Sequence, residues 1–240
     1  MNEVTTIGAA LAATVSADPT RPQLTFYDDA TDERTELSGA TLMNWVAKTA
    51  NMITDDGGLG IGDRASVGLP PHWQTAAVLL ACWTAGLAVA IGPEPAEVAF
   101  VYVDDATHEW PAIERYALNL HPLALPLRDA PDGFSDFNSE VRVHGDHFYP
   151  AVAVRPETEA LIRPDRTITH AELLAIAAER AAHLGIAGGR VLIDVDTYSD
   201  VVDWLLAPLV AGASIVLCRN MDRDREGSRA ASERATQRLI

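Results

Sequence analysis

The apolar positions of the chain fall into runs that alternate between the lengths typical of helices and of strands. The longest run, 72–93, contains no Asp, Glu, Lys or Arg. Its almost wholly apolar part, 75–92, reaches the lower length limit of a transmembrane helix. Gly86 interrupts it, so the pattern favours a buried helix over 75–85 followed by a buried strand over 87–91, as in a parallel sheet.

This strand–helix–strand pattern occurs a second time along the chain. Arg64 begins one apolar strand, and Gly86 follows it after 22 positions. Arg190 begins another, and Gly212 follows it after the same 22 positions. The equal spacing indicates an internal repeat, with chance similarity between two ordinary βαβ units as the alternative.

Each copy is preceded by a further helix and a candidate hairpin. Ser38 and Thr169 stand where the N-cap residue of such a helix belongs. Ahead of them, 24–27 and 160–162 are short apolar runs that end in turn-forming residues. Strands that alternate with helices predict an α/β fold with mainly parallel sheets. The sequence therefore predicts two related α/β subdomains with a pseudo-twofold repeat.

The repeat suggests how the chain divides into domains. We predict a first α/β subdomain over 1–128 and a second over 129–220. The remaining segment, 221–240, is highly charged and has no strong apolar stripe. It is predicted to be a solvated helix or disordered.

The segment between the two copies is less regular. We predict a strand over 98–103 and a helix over 107–117. The run 118–128 contains two prolines and suits a loop or an edge strand. Turn-forming residues dominate 130–138, and 141–154 is predicted to hold two short strands.

Charge and cysteine content narrow the classes of function. The chain has 18 basic and 34 acidic residues, a formal net charge of −16, which disfavours binding to nucleic acid or an anionic membrane. Lys48 is the one lysine, so a mechanism that needs a catalytic lysine has a single candidate. Cys82 and Cys218 lie in apolar runs, which indicates buried reduced thiols rather than a zinc site. A start without basic residues predicts no signal peptide and a cytoplasmic protein.

Several short motifs occur in a characteristic order. They are the helix start at 36–42, Gly62-Asp63-Arg64-Ala65, Leu69-Pro70-Pro71 and Thr84-Ala85-Gly86. Together they resemble the opening core motifs of the AMP-forming acyl-CoA synthetase, or adenylate-forming, superfamily. The second copy, 168–217, resembles the segment that follows the phosphate loop of that superfamily. The resemblance covers about half the chain, and it extends to a smaller family of short synthetase-like proteins. It implies a fold like the N-terminal domain of these enzymes.

The resemblance also implies motifs that this chain lacks. The phosphate loop would stand at 158–166, which contains neither glycine nor lysine and carries Glu159 and Asp165. Carboxylates at this position would repel a triphosphate. The adenine-binding and ribose-binding motifs and the C-terminal catalytic lysine are also missing, and Lys48 matches none of them. We therefore carry over no catalytic residue and no cofactor, and expect a truncated, non-catalytic relative.

One candidate ligand site follows the first strand of the second copy. It consists of Asp196, Thr197, Tyr198 and Ser199, where the resemblance implies residues of an acyl or amino-acid pocket. The carboxyl ends of parallel strands are also where α/β sheets bind ligands. The alternative is a polar loop in which Thr197 or Ser199 caps the next helix.

Three further motifs have plain structural alternatives. The His-Gly-Asp-His segment 144–147 could contribute to a metal site, but no third distant ligand is evident and no metal is predicted. Asp194 and Asp196 alternate on a strand and would share a face, as a carboxylate pair or as a solvated strand end. The glycine-rich segment 57–62 follows a helix and precedes a strand, the reverse of a phosphate loop, so it is predicted to be a helix end and a turn.

These observations favour a non-catalytic relative of adenylate-forming enzymes that acts as a binding or regulatory protein. The alternative is an enzyme or ligand-binding protein for an acyl or other carboxylate compound, alone or completed by a partner chain. An unrelated soluble α/β domain is the third hypothesis. The expected partner is a second copy of the chain or another protein, and neither nucleic acid nor a membrane.

Overall fold

The computed structural model describes residues 4–240, which form twelve strands and seven α-helices. The strands are Pro22–Asp28 (β1), Glu33–Ser38 (β2), Arg64–Gly68 (β3), Ala88–Ile91 (β4), Ala96–Tyr102 (β5), Ala112–Leu118 (β6), Ser135–Asp136 (β7), Glu159–Ile162 (β8), Thr167–Thr169 (β9), Arg190–Asp194 (β10), Ser214–Arg219 (β11) and Gln237–Leu239 (β12). The helices are Ile7–Ala17 (α1), Gly39–Asn51 (α2), Trp73–Ala85 (α3), Phe137–Glu140 (α4), His170–Leu184 (α5), Ala207–Val210 (α6) and Glu226–Ser232 (α7). A π-helical turn, Met52–Asp56, follows α2, and another, Val202–Leu206, precedes α6.

The chain divides into two compact units that are interleaved along the sequence. The first contains the described residues up to Ala9, Met43–Pro70 and Gln74–Leu173. The second contains Ala10–Leu42, Pro71–Trp73 and Leu174–Ile240. The division of the chain into domains 1–128, 129–220 and 221–240 stays a prediction, because the two compact units do not show which segments fold on their own.

The first unit contains a seven-stranded sheet in the order β7-β6-β5-β3-β4-β8-β9. All neighbouring strands are parallel except the antiparallel hairpin of β8 and β9. Helix α3 connects β3 to β4, and its residues 76–83 are all buried. A helix that is apolar on every side needs such a position, because no face of it interacts well with water.

The second unit contains a five-stranded sheet in the order β12-β10-β11-β1-β2. Here too the strands are parallel except for one hairpin, β1 and β2. The central strands β10 and β11 are almost wholly buried, as expected for strands in the middle of a parallel sheet. The sequence prediction of an α/β fold with two mainly parallel sheets is confirmed.

The two predicted copies have the same local order of elements. Each has a hairpin, a helix, a strand, a helical segment and a strand. The parallel pairs have the same offset, with Arg64 beside Ala88 and Arg190 beside Ser214. Each hairpin, however, joins the sheet built by the other copy: β1 pairs with β11, and β8 pairs with β4. A common origin of the copies stays a prediction.

Both predicted helix caps are present. The Ser38 hydroxyl accepts the backbone N–H of Thr41 at 3.1 Å. At α5, the Thr169 hydroxyl accepts the N–H of Glu172, and the Glu172 carboxylate accepts the N–H of Thr169 at 2.9 Å. This reciprocal capping box satisfies backbone donors that the first turn of a helix leaves free. The Thr169 N–H and hydroxyl both donate to the Glu172 carboxylate, and these two hydrogen bonds lower its pKa.

Two predictions for the segment between the copies are wrong. Residues 107–117 are not a helix: 112–118 form β6, which lies parallel to β5 and buries Tyr116. Pairing in the sheet overrides the helix-forming tendency of this short run. Residues 141–154 contain no strand: 141–143 form a 3-10 turn, and the rest is irregular. The strand predicted over 98–103 is confirmed as β5.

The charged segment 221–240 contains more structure than the sequence indicates. It forms α7 and then β12, which extends the five-stranded sheet beside β10. The three residues of β12 are too few to give a detectable alternation of apolar and polar side chains.

Among residues 4–240, no helix combines the length and the apolarity needed to cross a bilayer.

Gly86 and Gly212 end the helical segments that precede β4 and β11, with φ angles of +94° and +67°. We expect Gly212→Ala to lower the free energy of unfolding by about 1–2 kcal/mol through backbone strain alone. Gly86→Ala should cost about 2–4 kcal/mol, because its added Cβ would lie 2.6 Å from Cγ1 of Ile61. Urea denaturation of the two variants measures the difference.

The half-exposed side chain of Ile61 provides the control for this comparison. Ile61→Ala should recover part of the loss in Gly86→Ala and none in Gly212→Ala, which a double-mutant cycle resolves. Equal losses in both glycine variants, with no recovery, would show that the steric contact contributes nothing.

Candidate functional site

The carboxyl ends of three adjacent parallel strands form the place where the sequence predicts a ligand site. Strands β1, β10 and β11 end at Asp28, Asp194 and Arg219. Asp28 and Asp194 are buried, although carboxylates are among the side chains least often found inside proteins. Their partners therefore decide what this edge can do.

Asp194 is fully engaged within the fold. Its carboxylate accepts hydrogen bonds from Arg223 at 2.7 Å, from the Thr197 hydroxyl at 2.9 Å and from the backbone N–H of Asp196 at 3.2 Å. Only 5% of the Asp194 side chain is exposed. Because these donors occupy its oxygens, Asp194 is a structural acceptor rather than a free general base.

The neighbouring Asp29 forms the most buried ion pair of this edge. Arg229 donates two hydrogen bonds to the Asp29 carboxylate, and each of these side chains is 7% exposed. The hydrogen bonds from Arg229 are the main cause that lowers the pKa of Asp29. The N–H of Asp222 donates to the same carboxylate at 2.7 Å.

The segment 220–229 thus returns across the ends of the strands. Besides the bonds from Asp222, Arg223 and Arg229, the Asn220 side chain donates to Asp28 at 2.8 Å. Its backbone N–H donates to Asp196 at 2.6 Å. The chain itself therefore supplies the hydrogen-bond donors that a ligand would otherwise offer to these carboxylates.

The predicted site residues lie together in the loop after β10, as the sequence requires. Asp196, Thr197 and Ser199 are exposed, and Tyr198 is half-buried. Asp200 caps the next helical segment by accepting the N–H of Val202 at 2.9 Å, a role that the sequence analysis gave to Thr197 or Ser199. Ligand binding by residues 196–199 stays a prediction.

Asp194 and Asp196 do not form a carboxylate pair. The strand ends at Asp194, so the two-residue alternation that would place both side chains on one face stops there. Asp194 points into the fold and Asp196 into solvent, so the alternative of a solvated strand end holds for Asp196 and is wrong for Asp194, whose carboxylate is bound by Arg223 and Thr197.

A tight hairpin occupies the position at which the family resemblance implies a phosphate loop. Strands β8 and β9 are joined by a turn in which Arg163 and Arg166 exchange backbone hydrogen bonds of 2.9 and 3.3 Å. Pro164 and Asp165 lie at its exposed tip. So short a turn has no glycine-rich backbone to surround a chain of phosphates.

The segment 144–147 is anchored to the C-terminal part of α2. Lys48 donates to the carbonyl of His144 and pairs with Asp146 at 2.7 Å. The Asn51 side chain donates to the carbonyls of Gly145 and His147. Lys48, the one lysine of the chain, therefore has a structural role in holding this loop.

Among residues 4–240, no group of three or more His, Cys, Asp or Glu side chains could hold a metal ion.

Other potentially reactive side chains are buried. His170 accepts the N–H of Ile7, the first residue of α1, and burial lowers its pKa to about 4. Burial raises the pKa of Cys218 to about 11 and raises that of Cys82 as well. Such buried places favour a neutral imidazole and protonated thiols.

Two arginines that organise this edge, Arg223 and Arg229, were not predicted as site residues from the sequence. Six of the 17 arginines lie in the interval 219–238, a clustering that is visible in the printed sequence. The partner of Arg229, Asp29, is 200 positions away in the sequence, so only the fold reveals this pairing.

Solved structures with the same fold are acyl-CoA synthetases and related adenylate-forming enzymes. An acyl-CoA synthetase from Brucella canis matches 97% of this chain with a TM-score of 0.76 and 14% sequence identity. Acetoacetyl-CoA synthetase from Streptomyces lividans matches 97% with a TM-score of 0.72 and 18% identity. A fatty acyl-adenylate ligase from L. pneumophila matches 98% with a TM-score of 0.71 and 11% identity.

The similarity to these enzymes is one of fold. This chain spans 46%, 42% and 44% of the length of the three solved chains, which is less than half of each. The fold resemblance inferred from the motifs is confirmed to this extent.

A closer relative defines the family. The chain is 37% identical over 242 residues to the TIGR03089 family protein of Mycobacterium tuberculosis, and the match covers 97% of both proteins. The chain belongs to this family. No protein-family model matches it.

The buried ion pair generates a prediction about stability. Arg229→Met should lower the free energy of unfolding at pH 7 by about 3 kcal/mol, because it leaves the Asp29 charge buried without its partner. The pair stabilises the fold above the ordinary aspartate pKa of 3.8, and this stabilisation is lost as the pH falls through the lowered pKa of folded Asp29. Urea denaturation between pH 7 and about pH 3 should therefore show a smaller acid-induced loss in the variant.

Arg225→Met is the matched control. Arg225 also lies near Asp29, at 3.6 Å, but its side chain is 53% exposed. Its replacement should cost less than about 1 kcal/mol. Similar losses in both variants would contradict a special role for the buried pair.

Proposed function

We propose that this protein is a non-catalytic relative of adenylate-forming enzymes that acts by binding, as a regulatory or scaffold protein. Its fold is that of enzymes that activate carboxylates with ATP. The proposal is that it retains the fold and lacks the activation chemistry.

The observation that carries this proposal is the turn between β8 and β9. Transfer of an adenylyl group requires a site that holds the triphosphate while its negative charge is redistributed. Backbone N–H groups of a flexible glycine-rich loop are the usual means of holding phosphates. The turn at 163–166 joins the strands directly, and Pro164 within it has no N–H to donate.

A second line of support comes from the carboxyl edge of the five-stranded sheet. Ligands of α/β proteins usually enter at such an edge. Here, the buried carboxylates of the edge already accept hydrogen bonds from Asn220, Arg223 and Arg229. A substrate would have to displace these charge-assisted hydrogen bonds, which are among the stronger ones in proteins.

The decisive experiment is ATP–pyrophosphate exchange with the purified chain. We expect no exchange with fatty, aromatic or amino acids, because reversible adenylate formation requires the triphosphate site that the turn replaces. Exchange is a better measurement than ATP binding, since it reports on the chemical step itself.

An authentic acyl-CoA synthetase assayed in parallel provides the positive control. Any exchange in the preparation must then be assigned to this chain or to a contaminant. Arg163→Ala with Arg166→Ala changes the turn in question. Exchange that co-purifies with the chain and disappears in this variant would overturn the proposal.

Binding as a function requires exposed groups that a partner can cover, and the segment 113–152 of the first unit contains several. The large apolar side chains of Ile113, Leu123, Val143, Tyr149 and Val152 have exposed fractions between 66% and 85%. Exposed apolar side chains in this number favour contact with another protein surface, because that contact removes them from water. We propose a homodimer that uses this stretch, with one twofold interface of at least about 1,200 Å².

Light scattering at micromolar concentration tests the dimer. The molar mass measured for the wild-type chain should be twice 25.8 kDa. The double variant Val143→Ser with Tyr149→Ser should shift the molar mass towards 25.8 kDa. Ile91→Ser removes an apolar side chain that is 50% exposed elsewhere and serves as the control. A wild-type chain that is monomeric at these concentrations would contradict the proposal.

A further inference from the structure

A cavity of about 520 Å³ lies in the second unit, beside the amino ends of its parallel strands. Pro22, Arg190 and Ser214, which line it, are the first residues of β1, β10 and β11. The buried carboxylates of Asp28 and Asp194 lie at the opposite ends of these strands. Its volume is within the range of pockets for small molecules, roughly 300–1,000 Å³.

The charges around the cavity are unusual for so acidic a chain. Arg21, Arg34, Arg190 and Arg234 line it together with Glu36 and Glu233. Four cationic and two anionic side chains give a local formal charge of +2, whereas the whole chain has −16. Because nearby charges act more strongly than distant screened ones, the cavity attracts anions in spite of the net charge.

Both carboxylates of the cavity are already neutralised. Arg34 bridges Glu36 at 2.6 Å and Glu233 at 2.9 Å, and Arg190 pairs with Glu233 at 2.6 Å. Burial of Glu233 would raise its pKa, but hydrogen bonds from Tyr27, Arg190 and Arg34 outweigh this effect, and the pKa is lowered. Glu233 is therefore an anion that holds two arginines in place.

The side chains of the other two arginines form no ion pair among residues 4–240. The Arg21 guanidinium donates to neutral oxygens, at 3.2 Å to the Gln23 side chain and at 3.1 Å to the carbonyl of Gly212. The nearest carboxylate in the sequence, Asp18, accepts the backbone N–H of Arg21 at 3.1 Å, and the charge of Arg21 contributes to lowering its pKa. Arg234 is exposed and forms no ion pair within the described chain. The excess positive charge of the cavity thus resides on Arg21 and Arg234.

Arg190 adds an unsatisfied donor to this arrangement. Its terminal nitrogens bind Glu233, Thr25 and the carbonyl of Pro22, whereas its Nε is buried and has no hydrogen-bond partner in the described part of the chain. Buried donors of this kind are rare in folded proteins and call for an explanation. Because this nitrogen is shielded from solvent, an anion in the cavity would satisfy it only after a shift of the Arg190 side chain.

We propose that this cavity binds a small phosphorylated molecule. Guanidinium groups match phosphate oxygens well, since each presents several N–H donors in a planar fork. Arg21 and Arg234 both line the cavity, and a phosphate dianion carries the two negative charges that would balance theirs. The cavity lies in the second unit, whereas the β8–β9 turn lies in the first. The proposed binding of a phosphorylated molecule is therefore independent of the proposed loss of catalysis.

Calorimetric titration with inorganic phosphate and with pyrophosphate tests the proposal, with citrate as a carboxylate probe. We expect saturable binding of pyrophosphate in the millimolar range or tighter, which weakens as NaCl is added. Arg21→Gln with Arg234→Gln should weaken it at least tenfold. Arg128→Gln with Arg155→Gln, at two exposed arginines of the first unit, removes the same two charges and should leave binding intact.

Arginine NMR of the unmodified chain provides a measurement that needs no variant. The Nε–H resonance of Arg190 should shift during the pyrophosphate titration, with the same saturation as the heat. Absence of binding up to about 10 mM, binding unchanged in the double variant, or preference for citrate over pyrophosphate would each overturn the proposal.

Discussion

The buried ion pair between Asp29 and Arg229 is the interaction on which the second unit most depends. A carboxylate that is 7% exposed is costly to leave without a cation, so the chain must return to it after β11. That return fixes α7, which contains Arg229, and it brings β12 beside β10. Glu233 follows α7 directly and thereby reaches Arg34 and Arg190. One ion pair thus connects the covered carboxyl edge to the charged cavity.

Tyr27 illustrates how closely this network is linked. Its ring lies against the guanidinium of Arg229, with a distance of 4.3 Å from Cζ to the ring centroid. Its hydroxyl donates to Glu233 at 2.6 Å and accepts from Arg34 at 2.9 Å. Burial and the bond to Glu233 raise the pKa of the tyrosine, so it remains a neutral donor. A single side chain of β1 therefore contacts the arginines of both features.

The sequence predicted those parts of the fold that local patterns determine. The apolar runs gave β3, β4, β10 and β11, and hydroxyl residues at the correct positions gave the starts of α2 and α5. Strands β6 and β12 were missed because pairing with β5 and β10, rather than local composition, makes them strands. The loop 196–199 was located correctly, but its coverage by 220–229 depends on Asp28 and Asp29, far away in the sequence. The cavity likewise joins Arg21 to Arg190 and Arg234, which no local motif connects.

The preference for arginine over lysine has a structural consequence in this molecule. The chain contains 17 arginines and one lysine, a bias that by itself points only to genome composition. Yet Arg190 binds a carboxylate, a hydroxyl and a carbonyl at once, with distances of 2.6, 2.7 and 2.9 Å. Lysine carries its charge on one compact ammonium and cannot span these acceptors with a planar fork. Arginine also keeps its charge when it is buried, whereas a buried lysine loses its proton readily. An acidic chain with buried carboxylates therefore needs arginine at these positions, and the same chemistry leaves the cavity suited to a further anion.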